Sequence, residues 1–203
     1  MNTNFSFFTF SVFQGCSFDE FTEMFVNKGF EESFRNKTVF VKKDKLSMQQ
    51  YINPIEDGTK FEKFSWWSNP KYTNVVFLAS NERDGLYLRC TREAVEMKCA
   101  LIKVSMSTKT KDEPEGLFWF QYISPEGKER LVYALREDRW IFYEEGEPLP
   151  FENLDYYKRR MIKERIGNDV IIEYLSKLGV NFFDIDENVS QCMTLERTAW
   201  DPD

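Results

Sequence analysis

The sequence predicts an α+β protein with a mostly antiparallel sheet that includes a β-meander. C-terminal helices are expected to pack on one face of this sheet, together with one N-terminal helix. Two observations predict this class. Short β-prone runs bounded by turn residues fill most of the chain, and segments with apolar residues at helical spacing follow them. Strands in a run followed by helices in a run are typical of α+β proteins.

The first two elements have the clearest signals in the N-terminal part. Residues 4–13 mix Phe, Val, Ser and Thr with partial period-two alternation, which favours a strand with one buried face. Ser17 and Glu20 have capping-box spacing, and apolar residues then recur at helical spacing as far as Gly29. We therefore expect a strand and then a helix.

The middle of the chain predicts a series of short elements. A strand is expected at 38–42, a short helix at 45–51, and turns at 53–54 and 57–58. Further strands are predicted at 61–67, 72–79, 85–90 and 97–106. The charged segment 109–115 contains a proline and is expected to form an exposed loop.

The last third predicts the meander and the C-terminal helices. The meander strands are expected at 117–123, 130–135 and 140–143, with turns at 125–127 and 137–138. One helix is predicted at 154–167 and a second at 170–178, with Asn168 as N-cap and Gly179 just after the end. An edge strand is expected at 181–185, and the polar tail is expected to fray despite Trp200.

The length of 203 residues fits a single α+β domain covering residues 1–203. A subdivision is also compatible with the pattern. It would separate an N-terminal strand and helix segment, 1–57, from the sheet and helices of 58–190, and leave a tail at 190–203. The sequence shows no internal repeat and no convincing linker.

The charge balance favours a basic partner. The chain carries 34 acidic and 27 basic residues and a net charge of −7, which repels phosphate backbones. Its 20 Phe residues must be covered by a core or by a partner. Nucleic acid is therefore a disfavoured ligand, and another protein is the expected one.

The compartment is inferred from the termini, the cysteines and the apolar runs. No Lys or Arg precedes the Phe-rich N-terminus, and Ser and Thr interrupt it, unlike a signal peptide. No segment reaches the ~20 apolar residues that span a bilayer. The four cysteines show no zinc spacing and are expected to be reduced. We therefore predict a cytoplasmic protein without membrane association.

The absence of histidine is the strongest argument against an enzyme. A chain with no His lacks the commonest general base at neutral pH and the commonest transition-metal ligand. No glycine-rich phosphate loop occurs either. We predict no catalytic residue and no cofactor.

The leading hypothesis is a protein-binding module, possibly an immunity or antitoxin-type inhibitor of a basic, nuclease-like partner. Adjacent Trp66 and Trp67 would point to opposite faces of a strand, so one could serve as a binding anchor, although burial of both is the alternative. Glu144, Glu145 and Glu147 could face basic groups of the partner.

Two other functions stay open. Asp184 and Asp186, or alternatively the acidic group at 144–147, could serve a metal-dependent phosphoester hydrolase. In the second alternative, nucleic acid would bind a basic helix face. That face would be formed by Lys158, Arg159, Arg160 and Lys163.

Overall fold

The computed structural model describes residues 5–52, 61–108 and 116–201, and the statements below concern these residues. The predicted turns at 53–54 and 57–58 and the predicted loop at 109–115 lie outside them. Within the described residues, no helix is long and apolar enough to cross a membrane.

The described residues form an α+β fold around one antiparallel sheet of nine strands, which confirms the predicted class. The strand order is β2-β9-β3-β4-β1-β5-β6-β7-β8. The strands are β1 (Phe7–Gln14), β2 (Val39–Lys43), β3 (Lys63–Ser68), β4 (Val75–Ser80), β5 (Ala100–Ser107), β6 (Leu117–Ile123), β7 (Glu129–Arg136), β8 (Trp140–Glu145) and β9 (Gln191–Arg197). The meander β6–β7–β8 lies where the sequence predicts it.

The helices flank this sheet. They are α1 (Phe18–Phe21), which continues as a π-helical segment (Thr22–Lys28), α2 (Glu31–Arg35), α3 (Tyr87–Met97) and α4 (Asn168–Lys177), with 3₁₀ turns at Met48–Gln50, Ile162–Glu164 and Phe182–Asp184. The predicted capping box is present, since Ser17 and Glu20 each accept a hydrogen bond from the other's backbone amide.

Both faces of the sheet are covered near its centre, because the central strand β1 carries apolar side chains on both sides. On one side, Phe13 packs with Phe21 and Phe25 of the first helical segment, and Cys90 of α3 joins this cluster. We call this side the α3 face. On the other side, Phe10 packs in a cluster that includes Tyr174 of α4. We call it the α4 face.

Helix α4 ends as predicted. Gly179 has a φ of +82°, a conformation that glycine adopts without strain. The amide of Gly179 donates to the Ser176 carbonyl, and the amide of Val180 donates to the Leu175 carbonyl. These two bonds form a Schellman motif. The predicted N-cap is displaced by one residue, since Gly167 is the N-cap and Asn168 donates its side-chain amide to the Ser107 carbonyl.

The strand predicted at 85–90 is wrong, because these residues begin α3. Leu86, Cys90 and Ala94 are buried at a spacing of four residues, whereas Leu88 is 79% exposed. This periodicity is helical. The carboxylate of Asp84 accepts hydrogen bonds from the amides that start the helix. The strand predicted at 97–106 therefore begins only at Ala100.

Three predictions near the C-terminus are also wrong. Residues 154–167 form turns and one 3₁₀ turn instead of a helix, and the expected edge strand at 181–185 contains the 3₁₀ turn Phe182–Asp184. The predicted tail forms β9, which lies between β2 and β3. Asp201, beyond β9, accepts hydrogen bonds from Ser33 and Thr38, both at 2.5 Å. These contacts hold the end of the chain against α2 and β2.

Strands from both predicted segments share the sheet. Strands β1 and β2 come from the 1–57 segment, and β1 pairs on its two sides with β4 and β5 of the 58–190 segment. The core therefore forms across the predicted subdivision.

Candidate functional site

Trp66 and Trp67 point to opposite faces of β3 as predicted, and both are fully buried. The indole N–H of Trp66 donates to Thr22 Oγ1 at 2.8 Å, and that of Trp67 donates to the Ile185 carbonyl at 2.7 Å. Helical segments cover both faces of the sheet at this strand. The burial removes both indoles from the surface, so the predicted role as exposed binding anchors is corrected to a core role.

Glu144, Glu145 and Glu147 are exposed at the end of β8 and just beyond it. Glu144 forms an ion pair with Arg130 at 2.8 Å, and Glu145 accepts a hydrogen bond from the Tyr143 hydroxyl at 2.7 Å. This bond raises the pKa of the Tyr143 phenol. The structure therefore presents this acidic group at the surface, where a basic partner can reach it.

Arg130 fixes the backbone that carries these acids. Its side chain is 2% exposed and donates to the carboxylates of Glu144 and Glu152 and to the carbonyls of Glu145 and Gly146. Burial opposes the charge on Arg130, but the two glutamates outweigh that cost and raise the pKa of the guanidinium. The side chain of Glu152 is fully buried, so this pair is inaccessible and structural.

The predicted metal ligands are not arranged as a metal site. The carboxylate of Asp184 contacts the Lys71 ammonium, the Tyr72 hydroxyl and the Asn181 side-chain amide. Burial opposes ionisation of Asp184, but these donors prevail and lower its pKa. Asp186 lines a separate cleft of about 410 Å³. No cluster of three or more candidate ligands occurs in the described parts of the chain.

The predicted basic helix face does not form. Lys158 is paired with Asp155 at 2.8 Å, and the guanidinium of Arg159 donates to the Glu164 carbonyl and lies 4.2 Å from the Tyr156 ring centre. Arg160 is exposed and Lys163 is half-buried in the adjoining turns. These cations are distributed around an irregular segment, so they do not form one face for a phosphate backbone.

Among the described residues, a row of aromatic rings lies on the α3 face of the meander, half-buried at Trp119 and Tyr133 and exposed at Tyr143. Trp119 stacks on Tyr133 with ring centres 5.1 Å apart, and Tyr133 stacks on Tyr143 at 5.3 Å. Tyr87 of α3 meets Trp119 edge to face at 5.8 Å. We call these four residues the aromatic row.

The strand register produces the aromatic row. Trp119 lies opposite Tyr133 across β6 and β7, and Tyr133 lies opposite Tyr143 across β7 and β8. Helix α3 packs over β5 and reaches β6. Beyond it, Tyr143 is 40% exposed and its neighbour on the same face, Ile141, is 37% exposed. The row therefore runs from the edge of a helix to the open edge of the sheet.

Acidic and amide groups adjoin the row. Gln121, on β6, is fully buried and donates to the carboxylate of Glu129 at 2.6 Å. Burial and the neighbouring charge of Glu129 raise the pKa of the Tyr87 phenol. With Glu145 bonded to Tyr143, the row has carboxylates at two of its positions. A flat aromatic surface with an acidic border is suited to a ligand that is both apolar and basic.

The sequence contained a signal for this surface that the prediction did not use. A sheet with one solvated face alternates apolar and polar residues. Trp119 and Tyr133, however, occupy positions of the meander that face away from the α4 side, where polar residues are expected. Aromatic residues on both faces of the meander strands therefore indicate that the second face is either covered by another part of the protein or used for binding.

A second open surface lies at the opposite edge of the sheet. It is a shallow groove of about 660 Å³, lined among others by Phe34, Val41 and Met193. Phe40, which also lines it, is 41% exposed. The strand that borders it, β2, carries two lysines, Lys42 and Lys43. This surface matches a basic partner less well than the aromatic row does.

A buried polar group lies beneath the start of α3. Lys103 is 2% exposed, and its ammonium donates to the Gly85 carbonyl at 2.8 Å. The Ser11 hydroxyl contacts the Cys90 thiol at 3.7 Å. Burial lowers the pKa of Lys103 and raises that of Cys90. Both groups are enclosed by β1, β5 and α3, so in this conformation neither is accessible to a substrate.

No protein-family model, no curated protein and no solved structure matches this chain.

Proposed function

We propose that this chain is a non-enzymatic module that binds a basic protein through the aromatic row. The single observation that carries the proposal is the stack of Trp119, Tyr133 and Tyr143, in which two half-buried rings lead to the exposed ring of Tyr143 at the sheet edge. Large aromatic side chains dominate the energetics of protein interfaces, because they bury much apolar area at low cost in side-chain entropy.

The acidic border supplies the preference for a basic partner. Glu129 and Glu145 lie beside the row, and Glu147 follows just beyond β8, whereas Glu144 points to the α4 face and is paired with Arg130. Rim charges of one sign raise the association rate with an oppositely charged partner and disfavour partners of the same sign. The net charge of −7 acts in the same direction.

The kind of protein that this surface suits best is an inhibitor of the immunity or antitoxin type. An acidic surface with rigid aromatic anchors is complementary to the basic active cleft of a nuclease-like toxin. We place the protein in the cytoplasm. The four buried cysteines, all unpaired, agree with a reducing compartment.

The test compares two aromatic truncations at sites of equal exposure. Tyr143→Ala removes a ring of the row that is 40% exposed, and the control Phe40→Ala removes a ring that is 41% exposed at the opposite edge of the sheet. A partner captured from the producing cells is purified, and its affinity for each variant is measured by calorimetry. We expect Tyr143→Ala to weaken binding about tenfold or more, as hot-spot truncations do. Equal affinities of the two variants would refute the assignment of the face.

The charge of the partner is tested separately. Glu145→Gln keeps the size of the side chain and removes one border charge. We expect Glu145→Gln to associate with the partner more slowly than wild type at low salt. At high salt the two association rates should be similar, because salt screens the field of rim charges. An association rate that does not depend on salt in either protein would contradict a basic partner.

A further inference from the structure

Strand β8 forms one edge of the sheet, and its pairing with β7 fixes which backbone groups point outward. The amide of Glu137 donates to the Arg139 carbonyl at 3.2 Å in the turn before β8. Hydrogen-bonded and non-bonded pairs alternate along an antiparallel ladder, so Tyr143 bonds β7 through its backbone. Phe142 and Glu144 therefore direct their N–H and C=O groups away from β7.

Natural edge strands are protected from pairing by charged side chains, especially lysine, by proline, by a bulge, or by a covering helix or loop. Within the described residues, β8 has no lysine, proline or bulge, and its protection consists of Glu144, Glu145 and the 3₁₀ turn Ile162–Glu164 that packs beside it. Strand β8 has the sequence Trp-Ile-Phe-Tyr-Glu-Glu and pairs with β7 without interruption. Arg165 covers the ring of Phe142 from the α4 face, at 5.2 Å from the ring centre. On the α3 face, Ile141 and Tyr143 stay exposed.

The residues at the two ends of β8 carry opposite charges. Arg139 precedes the strand and Glu145 ends it, and both are exposed. When such a strand pairs with an identical antiparallel strand, the basic end of each copy lies opposite the acidic end of the other. In a parallel pair, like charges would lie side by side and destabilise the pair.

We propose that β8 pairs antiparallel with β8 of a second copy, about a two-fold axis at Phe142. In this register the outward backbone groups of Phe142 in the two copies bond each other. Ile141 lies opposite Tyr143 of the second copy, and Arg139 lies opposite Glu145 of the second copy. The two-fold axis repeats each of these contacts, as in any isologous interface.

The net charge of each copy does not prevent this pairing. At physiological ionic strength, charges more than about 8 Å apart are largely screened. The contacts across the axis are closer than that. The aromatic row stays open in the dimer, because added strands extend a sheet at its edge and leave its faces uncovered. Two residues nevertheless serve both proposals, because Tyr143 and Glu145 lie at the seam of the dimer and also belong to the aromatic row and its acidic border.

The experiment uses charge reversal at the two ends of β8. Wild-type protein is expected to sediment with a concentration-dependent mass that approaches that of a dimer. Arg139→Glu alone and Glu145→Arg alone each place like charges opposite each other twice, so each should weaken the dimer about tenfold or more. The double variant restores the opposite-charge pairs and should recover dimer formation. The far-ultraviolet circular dichroism and the melting temperature of each variant confirm that it folds.

A second measurement tests the backbone pairing itself. Amide hydrogen exchange at Phe142 should slow as the concentration rises, whereas exchange at Tyr143, whose amide bonds β7 in both states, should not change. A wild-type protein that stays monomeric at all concentrations would overturn the proposal. So would a dimer that neither charge reversal affects. Partner binding by Tyr143→Ala and Phe40→Ala is measured at concentrations at which the wild type is monomeric, so that a failure of partner binding is distinguished from a failure of dimer formation.

Discussion

Arg130 gives the most quantitative prediction of the structure. The side chains of Arg130 and Glu152 are 2% and 0% exposed and lie 2.7 Å apart. Arg130→Met keeps most of the aliphatic stem and removes the charge, which leaves the carboxylate of Glu152 buried without its cation. Breaking a buried ion pair in this way costs about 3–5 kcal/mol. Arg130→Met should therefore be among the most destabilising single substitutions in this chain.

The expected change in melting temperature follows from chain length. With an unfolding entropy of about 2.1 cal/mol/K per residue, the 203 residues convert this cost into a fall of about 7–12 °C. The assay is thermal and urea unfolding followed by circular dichroism. Glu144→Gln is the matched control. The side chain of Glu144 pairs with the same guanidinium but is 42% exposed. Exposed pairs contribute about 1 kcal/mol or less.

A double variant identifies the cause. In Arg130→Met with Glu152→Gln, neither side chain carries a charge, so the variant should recover a large part of the stability lost in Arg130→Met alone. The reasoning would be refuted if the free energy of unfolding of Arg130→Met were within about 1 kcal/mol of that of wild type. It would also be refuted if Glu144→Gln were equally destabilising.

Three further predictions concern pH and backbone conformation. Burial lowers the pKa of Lys103 below its usual 10.5, so the unfolded chain binds more protons, and stability should rise with pH up to about 10.5. Urea unfolding at pH 7 and pH 9.5 should show this rise in wild type and a smaller one in Lys103→Met. Hydrogen bonds from Ser33 and Thr38 lower the pKa of Asp201 to about 2. Its contribution should be present above about pH 4 and lost as the pH falls toward 2, and Asp201→Asn should flatten this loss in acid unfolding curves. A Cβ on Gly146 would lie 2.0 Å from the Glu129 carbonyl oxygen, whereas one on Gly127, at nearly the same φ, would meet nothing within 4 Å. Gly127→Ala should cost about 1–2 kcal/mol of unfolding free energy for its left-handed conformation alone, and Gly146→Ala should cost more. Equal losses would show that the contact with Glu129 is unimportant.

Local signals predicted some elements of the fold correctly. The capping box at Ser17 and Glu20 and the helix end at Gly179 were predicted because such signals act over a few residues. The meander strands were predicted for a similar reason, since short turns and alternation specify them. The helix that starts near Leu86 was missed, although its buried residues recur every four positions.

Long-range pairing was not predictable in the same way. Residues 191–197 look like a polar tail, and they become a strand only because β2 and β3 provide hydrogen-bonding edges on both sides. The role of Trp66 and Trp67 depended on what covers each face of β3. The residue that bonds the Trp66 indole lies more than 40 positions away along the chain, and the one that bonds the Trp67 indole lies more than 100 positions away. Aromatic composition alone could not decide between an anchor and a core residue.

The candidate site shows the same division. The sequence indicated an acidic surface at 144–147 and the need to cover many aromatic rings, because charge and composition belong to the chain itself. Only the tertiary structure determined which rings lie near the surface. Strand register brings Trp119, Tyr133 and Tyr143 side by side, and α3 packs mainly over β5 and the first of their three strands. Exposure depends on the position of distant elements, so the sequence determined the chemistry of this surface, and the packing of α3 and β8 determined its location.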